Sequence, residues 1–361
     1  MPDNADVDTR YSRLKLCKSV LEETFMSSMP QVRLGSEGPR VSALGLGCMA
    51  MSDIYGPSDR AESIATVHAA LDAGMNLLDT GDFYGMGHNE MLLREALADR
   101  QRDSYLLSVK FGSLRDPSGR FLGFDGRPAA VRNFLSYSLK RLGVEYIDIY
   151  RPARLDPNVP IEDTMGAIAE LIQAGYVRYA GLSEVGADTI RRARKVLPIT
   201  DLQIEYSLIS RGIEAEILPA CRELGIGITA YGILSRGLIS GHFTAPAGAK
   251  DYRASSPRFQ GENLANNLKM VERLRALAQE MGASPAQLAI AWVAARGKDI
   301  VPLVGARSRN RLIESLATSE LRLSESQLRA LAEAMPEDQV AGARYPEAMM
   351  AHLDSEKRAA H

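Results

Sequence analysis

The feature that most constrains this chain is an alternation. From residue 43 onward, short apolar runs and longer amphipathic runs take turns. The apolar runs are 43–49, NLLDT (76–80), SYLLSVKFG (104–112), YIDIYRPA (146–153), VRYAGLSE (177–184), DLQIEYS (201–207), GITAYG (227–232) and DIVPLVGA (299–306). Each is short and largely apolar, as strands covered on both faces are. Helical patterns lie between them, in AESIATVHAALDAG, NEMLLREALADR, PAAVRNFLSYSLKRLG, IEDTMGAIAELIQAG and GIEAEILPACRELG. Gly74, Gly143 and Gly175 close three of these, where a left-handed cap favours glycine. Strands that alternate with helices form a parallel sheet, because parallel neighbours need a crossover. Eight such units predict an α/β fold, a closed (β/α)8 TIM barrel. QVRLGSEGPRVS, ahead of the first unit, reads as a β-hairpin turning at 35–38 and closing the bottom of the barrel.

Length alone, 361 residues, would suggest two domains, but barrels run well past ~200 residues as one unit. The expected organisation is an N-terminal extension over 1–28, poorly ordered, a barrel over 29–340 and a C-terminal tail over 341–361. The long irregular stretch at 242–264 follows the seventh strand, where a functional loop is expected. A late helix pair begins at 323–335.

The composition, 45% hydrophobic and 24% charged, is that of a soluble globular enzyme. A net charge of −2 argues against nucleic acid or an anionic membrane as the main partner. No apolar run approaches the ~18 residues of a membrane span. Cys17, Cys48 and Cys221 are far apart and fit neither a disulfide framework nor a metal site, so a reducing cytoplasm is the simplest home. Gly45-Leu46-Gly47-Cys48-Met49-Ala50 matches a dinucleotide fingerprint, but MAMSDIYGPSD intervenes before any helix. A Rossmann turn needs the helix to open inside the glycines, so these glycines are read as a backbone turn at the barrel rim.

Chemistry in a β/α barrel sits at the C-terminal ends of the strands. Asp79 ends the second strand, Tyr84 follows in the loop, and Lys110 lies near the end of the third. A phenol is a poor acid at neutral pH unless tuned, and a nearby ammonium would lower its pKa. A buried lysine in turn needs a carboxylate. The three residues can make a tunable proton donor; Asp79–Lys110 could equally be a structural ion pair and Tyr84 a packed rim residue.

GLGCMAMS (45–52), NLLDTGDFYG (76–85), SVKFG (108–112), YIDIYRPARLDPNVPIED (146–163), GYVRYAGLSE (175–184), ITAYGILSRGLISG (228–241) and VPLVGARSRNRLIESL (301–316) together resemble the aldo-keto reductase family, over about residues 31–335. The resemblance implies that Asp79, Tyr84 and Lys110 are catalytic. Tyr84 would give a proton as NADPH delivers hydride to an aldehyde or ketone. It also exposes a departure: Ala153 stands where the family has a catalytic histidine. That removes a donor to the carbonyl, a contact often worth a few kcal/mol. His88, just past Tyr84, is a candidate substitute, or else a surface histidine at a helix start.

The same resemblance implies an extended NADP(H) site across the barrel mouth. Gly47 would allow close approach after the first strand. Ser183 and Gln203 would hold the nicotinamide amide, with Glu184 where Asn is usual. Tyr231 would stack on the nicotinamide. Gly232, Leu234, Ser235 and Arg236 would surround the pyrophosphate. After the eighth strand, Gly305 precedes Arg307 and Arg311, two arginines at a helix start suited to the 2′-phosphate of NADP, or else a solvated basic face. Glu314 would bind the adenine amine, and Ser315 stands where Asn is usual. The expected substrate is a small or medium carbonyl compound, bounded by loops 112–127, 153–160 and 243–260 and by the tail. Met49, Met51, Phe83, Phe121 and Phe124 are candidate lining. A rival reading, prompted by Ala153, is an NADP(H)-binding redox-sensing or regulatory subunit with weak turnover.

Overall fold

The computed structural model describes residues 29–248 and 250–357. The expected N-terminal extension lies outside the described residues. β1 (Gln31–Arg33) and β2 (Arg40–Ser42) form an antiparallel hairpin. The barrel strands are β3 (Gly45–Gly47), β4 (Leu77–Gly81), β5 (Leu106–Phe111), β8 (Ile147–Pro152), β9 (Val177–Ser183), β10 (Ile199–Glu205), β11 (Gly227–Tyr231) and β12 (Ile300–Gly305). They pair in that order as one closed, parallel ring, with β12 returning to β3. Each predicted strand appears within a few residues of its expected place.

The hairpin closes the bottom because it carries apolar side chains into the ring. Leu34 and Val41 pack against Leu77 of β4, Ile149 of β8, and Val301 and Leu303 of β12. β3 is short and crosses tightly: a Cβ on Gly45 would fall 2.6 Å from Leu303 Cδ2. That close approach, with a 3-10 turn at Met49–Ser52 and no helix before Arg60, is what the glycines of the apparent fingerprint serve.

Above the apolar floor lies a charged layer absent from the sequence reading. Arg151 of β8 donates to Asp201 of β10 at 3.0 Å, and both side chains are fully buried. Thr229 of β11 also donates to Asp201. Gly181 of β9 makes the space, since a Cβ there would lie 2.7 Å from Asp201 Oδ1 and 2.9 Å from Arg151 Nε.

Three segments differ from expectation. Loop 112–127 contains a second hairpin, β6 (Ser113–Arg115) with β7 (Phe121–Phe124). A helix at Ala187–Arg194 was not anticipated; its only buried residues are Thr189, Ile190 and Ala193, too weak a stripe among four arginines and lysines nearby to read by period. The helix expected over GIEAEILPACRELG begins only at Ile217, after a 3-10 turn at Gly212–Glu214. Pro219 then falls in its first turn, where no backbone donor is needed.

The tail packs on the barrel. Asp354 accepts from Gly186 N at 2.9 Å and Thr189 Oγ1 at 2.7 Å, tying it to the start of the Ala187–Arg194 helix. Among the described residues no helix is long and apolar enough to cross a membrane.

Replacing Arg151 by Met should cost about 3–5 kcal/mol, because Asp201 would stay buried without its cation. Urea unfolding of the two proteins measures this, and a loss under about 1 kcal/mol would show that the pair does not support the barrel.

Candidate active site

Asp79 is held from three directions. Lys110 Nζ donates to Oδ1 at 2.5 Å, while Ser108 Oγ and Gln203 Nε2 donate to Oδ2 at 2.8 and 2.7 Å. Ser108 and Lys110 are two apart on β5, so both point to the same face, inward. The register sets Asp79 beside Ser108 and Gly47. Burial pulls the Lys110 ammonium below the usual lysine range, and the Asp79 charge works against it.

Tyr84 stands over this pair. Lys110 Nζ lies 5.2 Å from its ring centroid, and Phe83 packs edge-on at 4.9 Å. The loop turns sharply after the tyrosine through Gly85, Met86 and Gly87, all at positive φ. Asn89 fastens it: it accepts from Thr80 Oγ1 at 2.7 Å and donates to Cys48 O at 2.8 Å. The expectation that Lys110 lowers the Tyr84 pKa needs correction. Burial pushes the phenol well above its ordinary value, the Asp79 carboxylate adds to that, and Arg154 is the cation that counters it. With Asp79 at 2.5 Å, the ammonium charge is already answered.

Ala153 is buried and offers Tyr84 no donor. His88 is exposed and sits 3.0 Å from Ser52 Oγ, at the start of the helix His88–Ala96. Arg154, the residue after Ala153, donates to Ala153 O at 2.6 Å and reaches the hydroxyls of Tyr231 and Tyr345 at 3.5 and 3.4 Å, and its charge acts on the Tyr84 phenol.

The expected cofactor residues ring the mouth. Gly47 and Gly305 are adjacent in register on β3 and β12. A Cβ on Gly47 would meet nothing closer than 3.7 Å, and one on Gly305 nothing within 4 Å, which leaves open floor for a ligand. Ser183 and Gln203 are register partners on β9 and β10. The hydroxyls of Ser183 and Ser235 are buried without a partner among the described residues. Two orphaned donors and a bare glycine floor fit an extended, phosphate-bearing ligand. Gly232, Ser235 and Arg236 all have positive φ, so the chain after β11 turns tightly through Leu234.

Other expected residues are engaged within the protein. Gln203 spends its Nε2 on Asp79. The Tyr231 hydroxyl donates to Glu184 Oε1 at 2.7 Å. Arg307 donates to Gly56 O at 2.8 Å, and Arg311 pairs with Glu314 at 3.2 Å. Glu314 also meets His242 at 2.9 Å, and Ser315 turns back to Arg311 O. Of the candidate lining, Met51 is fully buried, Phe83 packs on Tyr84, and Phe121 and Phe124 hold His352 of the tail at 5.5 and 5.6 Å.

Arg344 was not foreseen. It links Glu184 at 3.0 Å, Glu205 at 3.1 Å and Glu356. Glu205 also faces Arg258 and Arg236. Burial works to raise the Glu184 carboxyl, but Arg344 and Arg154 beside it hold it down to about 2. This explains the glutamate where asparagine was expected: its carboxylate answers the tail. The partners are 160 and 139 positions apart, so no local pattern announces them.

Asp82, at the base of the Tyr84 loop, is buried with Oδ1 unpartnered and Oδ2 3.4 Å from Gly112 N. Burial pushes its carboxyl up to about 7, and Glu90 adds to that. A folded pKa above the unfolded value means the stabilising state is the protonated one. Its contribution is complete below about pH 4 and is lost as pH rises through about 7. Asp82→Asn should therefore match wild type in urea unfolding near pH 4 and exceed it by on the order of a few kcal/mol at pH 8. A difference that does not change with pH would contradict this.

Comparison with known proteins agrees with the fold. The profile described as the aldo/keto reductase family matches residues 43–335. A protein of Glycine max named probable aldo-keto reductase 1 is 42% identical over 316 residues, 87% of this chain and 91% of that protein. A glycerol dehydrogenase from Gluconobacter oxydans superposes with a TM-score of 0.77 at 26% identity, covering 93% of this chain and 99% of that one. A thermostable aldo-keto reductase in complex with the inhibitor epalrestat gives a TM-score of 0.68 at 26% identity, with 85% and 100% covered. The chain belongs to the aldo/keto reductase family, oxidoreductases that act on carbonyl groups.

Proposed function

We propose that this protein reduces an aldehyde or ketone to an alcohol with NADPH, using Tyr84 as proton donor. The observation that carries the reading is the buried Asp79–Lys110 pair beneath Tyr84, at the ends of adjacent parallel strands. A bound nicotinamide would supply the hydride. Ser183 and Gln203 would hold its amide, Tyr231 would face its ring, and the Gly47–Gly305 floor would take close contact. Gly232, Leu234, Ser235 and Arg236 would cradle the pyrophosphate. Arg307 and Arg311 would meet the 2′-phosphate, Arg311 being the more exposed of the two. Glu314 and Ser315 would border the adenine.

Within this reading Lys110 and Asp79 fix the electrostatics under the phenol, and the tail excludes water from the mouth. The substrate is a small or medium carbonyl compound, and the cytoplasm is the proposed compartment. The second reading, an NADP(H)-binding regulatory subunit with slow turnover, draws on Ala153 and on the raised Tyr84 phenol. It predicts one slow turnover and no steady state.

Two measurements test the proposal. NADPH oxidation over a panel of aldehydes and ketones should show steady turnover, and Tyr84→Phe should lose about 100-fold or more in kcat. A related structure is that of a glycerol dehydrogenase, so NADP+ with glycerol and other simple alcohols belongs in the same panel. Full activity in Tyr84→Phe would end this mechanism. Separately, NADPH should bind at least about tenfold more tightly than NADH, and Arg311→Ala should erode the difference. A preference for NADH would remove the 2′-phosphate assignment.

A further inference from the structure

Arg154 follows β8 at the barrel mouth, one residue past Ala153. A guanidinium has five N–H donors and keeps its charge. Here most of that capacity is unspent. Nη1 donates to Ala153 O at 2.6 Å. Nη2 lies 3.5 and 3.4 Å from the hydroxyls of Tyr231 and Tyr345, at the long limit of a hydrogen bond. Nε is buried with no partner. Each neighbouring buried arginine has a carboxylate: Arg151 has Asp201, Arg344 has Glu184, and Arg236 and Arg258 share Glu205. Among the described residues Arg154 makes no salt bridge. Glu184, Tyr231 and Tyr345 support its charge through space, but its hydrogen-bonding capacity is left unfilled, which is understandable where a ligand is to meet it.

The surroundings say which atom that is. Ala153 supplies a methyl group and no donor, and His88 is occupied at the surface with Ser52. Arg154 is also the cation that opposes the burial of the Tyr84 phenol. We propose that Arg154 supplies the electrophilic contact that Ala153 cannot, donating to the substrate carbonyl oxygen while Tyr84 protonates it. This rests on the carbonyl reduction proposed above. A bound reduced nicotinamide would supply the hydride for the new C–H bond, and the carbonyl π pair would move to oxygen. That oxygen takes the Tyr84 proton, leaving a phenolate that regains a proton from water and an oxidised nicotinamide. Arg154 transfers no proton. Its fixed charge stabilises the developing alkoxide and then the phenolate, in a water-poor site where such donors are most effective. Tyr231 and Tyr345 position it.

The test uses the full chain with Arg154→Met, Arg154→Lys and Arg154→Gln, an uncharged aldehyde and a 2-oxo acid as substrates. Arg154→Met should lower kcat about 100-fold on both substrates, and Arg154→Lys should recover part of it. NADPH affinity by fluorescence titration should stay within about twofold. The melting temperature should change little, because Glu184, the carboxylate that feels the Arg154 charge, keeps its ion pair with Arg344. The pH at which kcat falls should move upward. If Arg154→Met does not fold, Arg154→Gln carries the same expectations. A kcat within threefold of wild type overturns the proposal. So does a loss confined to KM for the 2-oxo acid, which would make Arg154 a carboxylate anchor. A joint loss of melting temperature and NADPH binding would make it structural. If Tyr84→Phe abolishes turnover and the Arg154 variants do not, only this inference falls. If wild type and Tyr84→Phe are alike, the reduction itself falls, and this with it.

Discussion

The ion pair between Asp79 and Lys110 is the constraint on which the rest of the site depends. Two charges inside a barrel lose their hydration, and an unpaired one would be several kcal/mol too costly to keep. The fold answers with geometry. Asp79 on β4 receives a cation and a hydroxyl from β5 and an amide from β10, on the far side of the ring. Both carboxylate oxygens of Asp79 are engaged, which fixes the pair in place. The pair also reaches the tyrosine above it, where the Asp79 carboxylate opposes ionisation of the phenol.

The barrel interior is therefore layered. Leu34 and Val41 from the hairpin make an apolar floor. Arg151, Asp201 and Thr229 form a buried polar layer, with Gly181 giving the room. Asp79, Lys110, Ser108 and Gln203 make the next. At the mouth the balance ends. Glu184 and Glu205 are met by Arg344, Arg236 and Arg258, while Arg154 has no carboxylate of its own. Each interior cation is paired with a carboxylate, whereas Arg154 at the mouth keeps unspent donors.

The tail belongs to this arrangement. Arg344 and Tyr345 reach the residues expected around the nicotinamide, and Asp354 secures the segment through Gly186 and Thr189. Phe121 and Phe124 of the unforeseen hairpin hold His352. The segment expected as a tail is thus part of the wall of the mouth.

The eight strands, the closing hairpin, and the placement of Asp79 and Lys110 on neighbouring strands with Tyr84 in the loop after the first are legible in the residues alone. Those follow from local burial patterns and from spacing along one chain, and a parallel barrel converts such spacing directly into position. The weak Ala187–Arg194 helix escaped because its apolar stripe is only three residues wide. Only the tertiary structure decided the electrical environment. Glu184 departs from expectation in a way that makes sense once Arg344 is beside it, and the Tyr84 phenol feels Arg154, 70 positions further along the chain. Charge interactions act through space between residues far apart in the chain, and burial multiplies them. No pattern of neighbours along the sequence records which partners the fold will bring together.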